Sequence, residues 1–323
     1  MTTNLQSIGV IAVAALVLAG CSSTESEPET QATTTPAAAE TTSTATEETQ
    51  APAEESKYER IVAVNAEASD MALLLAGPEN MAAVATSPQS PLMGQVPELA
   101  RQVEETIPSG IEPDAEQILS FDPDLVLITT RHDTENTVVE QLEATGVTTI
   151  AFDGSEYNTP EDYAATLREL GETLGLEAKA DALATELETE IAALDEKKGD
   201  ASPSFVALMA RGQSVMVMGE NNALPGLAMR AGATNAAADI GMSTTAPIDA
   251  EQLLKTNPEI IFVEDFNGAG LEPFQEMLDN PALAEVDAIK NNRIVLVPIN
   301  EASTLAGLNM PTGYEKILNE VNK

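Results

Sequence analysis

One imidazole and two guanidinium groups stand where an alternating α/β chain presents its chemistry, directly after apolar runs. His132 is the only His, and with Arg131 it follows DLVLITT at 124–130. Imidazole ligates metals or makes polar contacts to a bound molecule. Arg131 and Arg211 offer planar forks suited to carboxylate or hydroxamate oxygens. Arg211 follows SFVALMA at 204–210 and precedes Gly212, Gln213 and the run Met216-Val217-Met218. Phe266 and Asn267 follow EIIFVED at 259–265, Asn65 and Glu67 follow RIVAV, and the loop SPQSPLMGQ at 87–95 carries Met93. Open α/β sheets bind ligands beyond the carboxyl ends of their strands. The candidate ligand contacts are therefore His132, Arg131, Arg211, Met93, Met216 and Asn267. The other Met residues, of eleven in all, read as core filling or an adaptable wall.

The same inventory argues against catalysis. No GxSxG, P-loop, helix-opening GxGxxG or HExxH motif occurs. One His leaves a single imidazole base and makes a three-His metal site impossible; a free metal ion would find mainly oxygen ligands. One Cys excludes an intrachain disulfide framework. With 53 acidic against 15 basic side chains the formal charge is −38, which repels phosphate backbones and excludes nucleic-acid binding through a basic patch. A carboxylate pair for acid–base work remains conceivable among so many acids, so a surface enzyme or a sensor on the same scaffold stays as the rival class.

The elements that must position these residues are short apolar strands separated by helical patterns: RIVAVNA at 60–66, DLVLITT, VTTIAFD at 147–153, SFVALMA, EIIFVED and RIVLVPI at 293–299. Such alternation predicts parallel sheets covered on both faces. DAEQILSFDPDLVLI at 114–128 recurs as DAEQLLKTNPEIIFV at 249–263, an offset of 135 throughout. Each copy reads as an Asp-capped helix, a Pro turn and a buried strand, so two lobes of one topology follow. Between them, 161–198 reads as a short helix, a break at Gly175 and a helix of about 20 residues, roughly 30 Å long, with the apolar stripe Leu183, Leu187, Ile191 and Leu194. The fold class is α/β: two Rossmann-like lobes with parallel central sheets joined by a rigid lobe-spanning helix, which restricts opening to a small movement.

The apolar run 8–20 is too short to span a bilayer and fits a signal-peptide core. It ends in Leu18-Ala19-Gly20-Cys21, which resembles the lipobox of bacterial lipoproteins, although no Lys or Arg precedes it. That resemblance implies lipidation of Cys21. The segment 22–57, dominated by Ser, Thr, Glu, Ala and Pro, lacks the apolar surface needed to order itself and reads as a tether spanning roughly 30–40 Å. The organisation expected is a signal peptide at 1–20, a lipidated Cys and tether at 21–57, an N-terminal lobe at 58–158, linking helices at 159–199 and a C-terminal lobe at 200–323.

RIVAVNAEASDMALLLAG, DAEQILSFDPDLVLI, the lobe-spanning helix, AGATNAA at 231–237 and DNPALAEVDAIKNNRIVLVP at 279–298 occur in that order. Together they resemble the substrate-binding proteins of ABC importers for iron complexes and vitamin B12, the helix-backbone class. The resemblance implies a monomeric, non-enzymatic, extracytoplasmic binder anchored to the outer face of the cell membrane, with no intrinsic cofactor, which delivers a small molecule to a permease dimer. It also implies that one acidic residue on each lobe pairs with arginines of the permease; the matching positions are Glu116 and Glu251. Cobalamin binders of the class wall their cleft with Trp and Tyr, whereas this chain has no Trp and four Tyr. A ferric siderophore brings its own iron ligands and is the ligand expected. Haem is the alternative, with His132 as an axial metal ligand and a Met from the opposite lobe as its partner; Met242 lies near a position where haem-binding members often carry Tyr.

Overall fold

The computed structural model describes residues 55–109, 112–212 and 214–323, all of which fall in one unit, Ala51–Lys323. The signal-type run, Cys21 and the tether to residue 54 lie outside the described residues.

In the first lobe β1 (Ile61–Ala63), α1 (Ala66–Ala76), β2 (Met81–Ala85), α2 (Pro97–Ala100), β3 (Thr106–Ile107), α3 (Ala115–Ser120), β4 (Leu125–Thr130), α4 (Asp133–Thr145) and β5 (Thr148–Asp153) alternate along the chain. Its five strands are all parallel, in the order β3-β2-β1-β4-β5. β1 and β4 are apolar and buried because helices cover both faces. VTTIAFD behaves differently. As the edge strand β5 it leaves Thr148, Ala151 and Asp153 exposed and buries only Phe152 fully.

Two helices follow. α5 (Pro160–Leu174) starts on the Thr159 side chain, which accepts the Asp162 N–H at 3.0 Å, and stops at Gly175 in the left-handed conformation. α6 (Glu177–Asp195) packs against it so closely that a Cβ at Gly171 would lie 2.2 Å from the Ala180 Cβ.

The second lobe comprises β6 (Ser204–Arg211), β7 (Ser214–Val217), α7 (Ala223–Arg230), β8 (Thr234–Asn235), β9 (Ala246–Pro247), α8 (Ala250–Thr256), β10 (Ile260–Asp265), α9 (Gln275–Leu278), α10 (Asp287–Lys290), β11 (Ile294–Pro298) and α11 (Met310–Val321). Its sheet runs β11-β10-β6-β7-β9, with β8 pairing β6. β11, β10 and β6 are parallel, as expected, but β7 and β9 form an antiparallel edge. The run 214–217 turns back through Gly212, at φ +59°, and pairs antiparallel with β6.

The repeat extends to its hydrogen bonds. Asp114 and Asp249 each cap their helix, α3 and α8. Asp122 and Asn257 both adopt left-handed backbone before the Pro, as their short polar side chains permit. Asp124 then accepts the N–H groups of Glu59 and Arg60 ahead of β1, and Glu259 accepts that of Ser204 at the start of β6. One apolar cluster runs from Ile61 and Leu125 through Tyr163, Leu187 and Ile191 to Phe205, Phe262 and Tyr314, so both sheets and the linking helices share a core.

Candidate functional site

The order of the first sheet reverses at β1, between β2 and β4, and the chain leaving β1 and β4 delivers Asn65, Glu67, Arg131 and His132 to one opening. β6, β10 and the segment after β11 deliver Met209, Arg211, Glu264, Phe266, Ile299 and Thr304 to the other side. Together they line a cleft of about 1290 Å³.

α1 sets the floor. It is buried almost all round, so its polar side chains need internal partners. Ser69 bonds the carbonyls of Asn65 and Ala63 and accepts the Ala85 N–H at 3.0 Å. Glu67, only 3% exposed, takes the guanidinium of Arg131 and the hydroxyl of Thr304, the latter at 2.7 Å. Arg131 reaches Glu67 across Gly154, where a Cβ would sit 3.0 Å from its Cγ. Asn65 fixes the neighbouring strand end by accepting the Thr129 N–H at 2.6 Å.

Further contacts join the lobes at 91–95. Asn300 donates to the carbonyls of Pro91 and Gly94, at 3.2 and 3.4 Å. Gln95 Oε1 accepts from the Tyr163 hydroxyl at 3.2 Å and from the Leu308 N–H at 2.9 Å. Gln95 also donates its backbone N–H to Asp70, whose other oxygen has no partner among the described residues. Burial pushes the Asp70 carboxyl up to about 7, the Glu67 charge adding to the rise against hydrogen bonds from Gln95 and Val96.

Of the residues predicted to touch ligand, Arg131, His132 and Arg211 line the cleft together. His132 is exposed at the start of α4, where Glu135 accepts the N–H groups of Arg131 and His132 at 3.0 and 2.6 Å. Met93, Met216 and Asn267 do not line it. Met93 packs behind the floor against Ala66, Ile299 and Leu305. Met216 sits in β7 opposite Met209 and packs on the main core. Asn267 turns the chain after β10 in left-handed backbone, at φ +56°. Met242 packs against the second lobe's core.

Sequence reasoning did not single out Glu264 or Thr304, and it left Glu67 and Phe266 as strand-end neighbours. Phe266 is 53% exposed on the cleft wall. Glu264, on β10, is 6% exposed. Burial pushes its carboxyl up to about 7, against the nearby charge of Arg211. A strand buried on both faces carries no alternation that would reveal which side chain meets the cleft. Among the described residues no cluster of three or more His, Cys, Asp or Glu side chains could hold a metal ion, and no helix is long and apolar enough to cross a membrane.

Two α/β lobes that share a linking helical pair and close on a cleft at their strand ends define a solute-binding protein. The chain belongs to the periplasmic binding protein family, which residues 61–300 match, in agreement with the resemblance read from its motifs. Among solved structures it is similar to the periplasmic haem-binding protein RhuT from Roseiflexus sp. RS-1 in apo form, at 23% identity and a TM-score of 0.68 over 82% of this chain and 98% of that one. A possible iron-binding (periplasmic solute-binding) protein from Staphylococcus epidermidis ATCC 12228 is similar at 17% identity and a TM-score of 0.67, over 83% and 100%. The periplasmic vitamin B12 binding protein BtuF of Vibrio cholerae is similar at 17% identity and a TM-score of 0.64, over 81% and 96%. At these identities the likeness is one of fold. No curated protein matches the chain in sequence.

Proposed function

We propose that this chain is an extracytoplasmic substrate-binding lipoprotein that captures an iron chelate, a ferric siderophore, and delivers it to the permease dimer of an ABC importer. The observation that carries the reading is the cleft itself. It is large enough for a chelate, at about 1290 Å³, and its walls are mixed apolar and polar, with no metal-ligand cluster among the described residues. A ligand that brings its own iron coordination asks the protein only for complementary contacts. The fold neighbours described as haem-binding, iron-binding and vitamin B12-binding support the same class of cargo. The protein acts as a monomer and binds without chemistry, tethered by lipid on Cys21.

Glu116 and Glu251 fit the docking role. Both are exposed in the first turns of the two equivalent helices α3 and α8, and two carboxylates at separate points give an electrostatic register for a partner. Haem is the second reading, favoured by the exposure of His132 on the cleft wall.

Titration of the full chain with haem and with ferric siderophores, followed by absorbance and thermal stability, separates these. A siderophore that binds the folded state raises the melting temperature, and the gain survives in His132→Ala. A Soret shift lost in His132→Ala establishes haem instead. Turnover of any ligand by the pure protein overturns binding without chemistry.

A further inference from the structure

The charges lining the cleft do not suit an anionic cargo. Five carboxyl side chains, those of Glu67, Glu112, Glu135, Asp153 and Glu264, face two guanidinium groups. Arg131 is committed to Glu67, with which it shares the cleft floor. Only Arg211 is left on the other side, and Glu264 lies within reach of its charge. The wider surface deepens the imbalance. Residues 1–54 hold seven of the 53 acidic side chains, so all 15 Lys and Arg must serve the remaining 46 acids of 55–323.

Glu264 is the unusual member of this set. Glu67 and Glu135 are satisfied by a guanidinium, a hydroxyl and backbone N–H groups. The Asp153 carboxylate is held by the backbone and hydroxyl of Ser155. Glu264 is 94% buried in the cleft wall, since only 6% of it is exposed, yet its carboxyl has no hydrogen-bond or ion-pair partner among the described residues. Its oxygens are not sealed, since the fully buried side-chain atoms without a partner among the described residues are on Asp70, Gln95 and Asn235, so they open on the cleft, where a donor on a bound molecule can meet them. Met209, Met218 and the exposed ring of Phe266 line the same cleft, so a ligand group docked there would meet apolar wall as well as the Glu264 carboxyl.

We infer that Glu264 is the contact for a cationic group of the bound ligand, so that the cleft selects an iron chelate carrying a protonated amine over a neutral or anionic one. This rests on the chelate reading above and narrows its substrate class. An ammonium donates up to three hydrogen bonds to oxygen, answers the empty acceptors of Glu264, and enters an acidic cleft along a favourable field. The apolar wall beside it accommodates the aliphatic arm on which such an amine is carried.

The test compares two probes with one iron core. Ferrioxamine B ends in a free ammonium, and its N-acetyl derivative replaces that charge with an amide. Calorimetric titration of the full chain is expected to give ferrioxamine B an affinity at least about tenfold higher, with ferric dicitrate, an anion, weakest of the three. In Glu264→Gln the tenfold preference disappears while the acetylated form binds as before, which also shows that the variant is folded. Equal binding of the amine and amide forms by the unaltered protein overturns the inference and leaves the chelate reading standing, whatever the variant does. Preference for ferric dicitrate does the same. Failure of all three chelates to bind overturns the inference together with the chelate reading beneath it.

Discussion

Gln95 accepts the backbone N–H of Leu308 at 2.9 Å, joining two segments 213 residues apart in the chain. The bond depends on Gly307, whose φ of +48° is left-handed and whose missing side chain leaves room for the Gln95 amide, 2.2 Å from where a Cβ would stand. Gly307→Ala is expected to lower stability by about 1–3 kcal/mol. Thermal denaturation reads this, and an unchanged melting temperature would mean that the segment adjusts freely.

Asp70 gives the same region a pH dependence of definite sign. Its folded pKa of about 7 lies above the unfolded carboxylate value of about 4. The folded state therefore holds a proton that the unfolded chain releases. The stability this proton represents is full below about pH 4, falls as pH rises towards 7, and is lost above it; the change is at most about 4 kcal/mol. Asp70→Asn is expected to flatten the decline in melting temperature between pH 5 and pH 8.

At the other end of α6, Asp195 accepts from Arg230 and Tyr314 and pairs with Lys198. Burial raises its carboxyl, but the hydrogen bonds from Arg230, Lys198 and Tyr314 outweigh that and hold it well below the usual carboxylate range. Its contribution is present above the unfolded pKa of about 4 and is lost as pH falls towards the lower folded value. Asp195→Ala is expected to cost about 1–3 kcal/mol at pH 7 and less at pH 2, partial exposure having been allowed for. Denaturant melts at the two pH values measure the difference.

Replacing Arg131 strands the Glu67 carboxylate. Arg131→Ala is expected to destabilise the protein by about 2–4 kcal/mol, and adding Glu67→Gln should recover part of the loss because the uncompensated charge goes too. A double-mutant cycle by denaturant titration checks this; strict additivity would mean that the pair contributes no coupling.

Docking is tested apart from ligand capture. Glu116→Lys and Glu251→Lys should each reduce uptake in cells and leave ligand affinity of the pure protein unchanged, with the double variant the weakest. The two sites are unequal, since Glu251 is already paired with Lys255 at 2.9 Å whereas Glu116 has no ion pair among the described residues.

How far the sequence was legible follows from the range of the interactions involved. The repeat at offset 135 announced two related lobes because a capped helix, a Pro turn and a buried strand are written in neighbouring residues. That Arg131, His132 and Arg211 stand at strand ends on the cleft was legible because strand ends are local features too. Glu67 with Thr304, and Gln95 with Leu308, depend on pairings over 200 residues apart that no window reveals. The hairpin at Gly212 was not legible, because the strand partner of 214–217 is set by the turn, and pairing with Met209 draws Met216 into the sheet. Glu264 was hidden by the uniform burial of β10, where five successive residues are sealed whichever face they occupy.

The apolar cluster that passes from Ile61 through α5 and α6 to Tyr314 gives the two lobes one shared core. A molecule seated between them is expected to stabilise the folded state that this core holds together, so capture should slow proteolysis at residues far from the cleft as well as at those lining it. Cargo would thereby serve as an extension of the core.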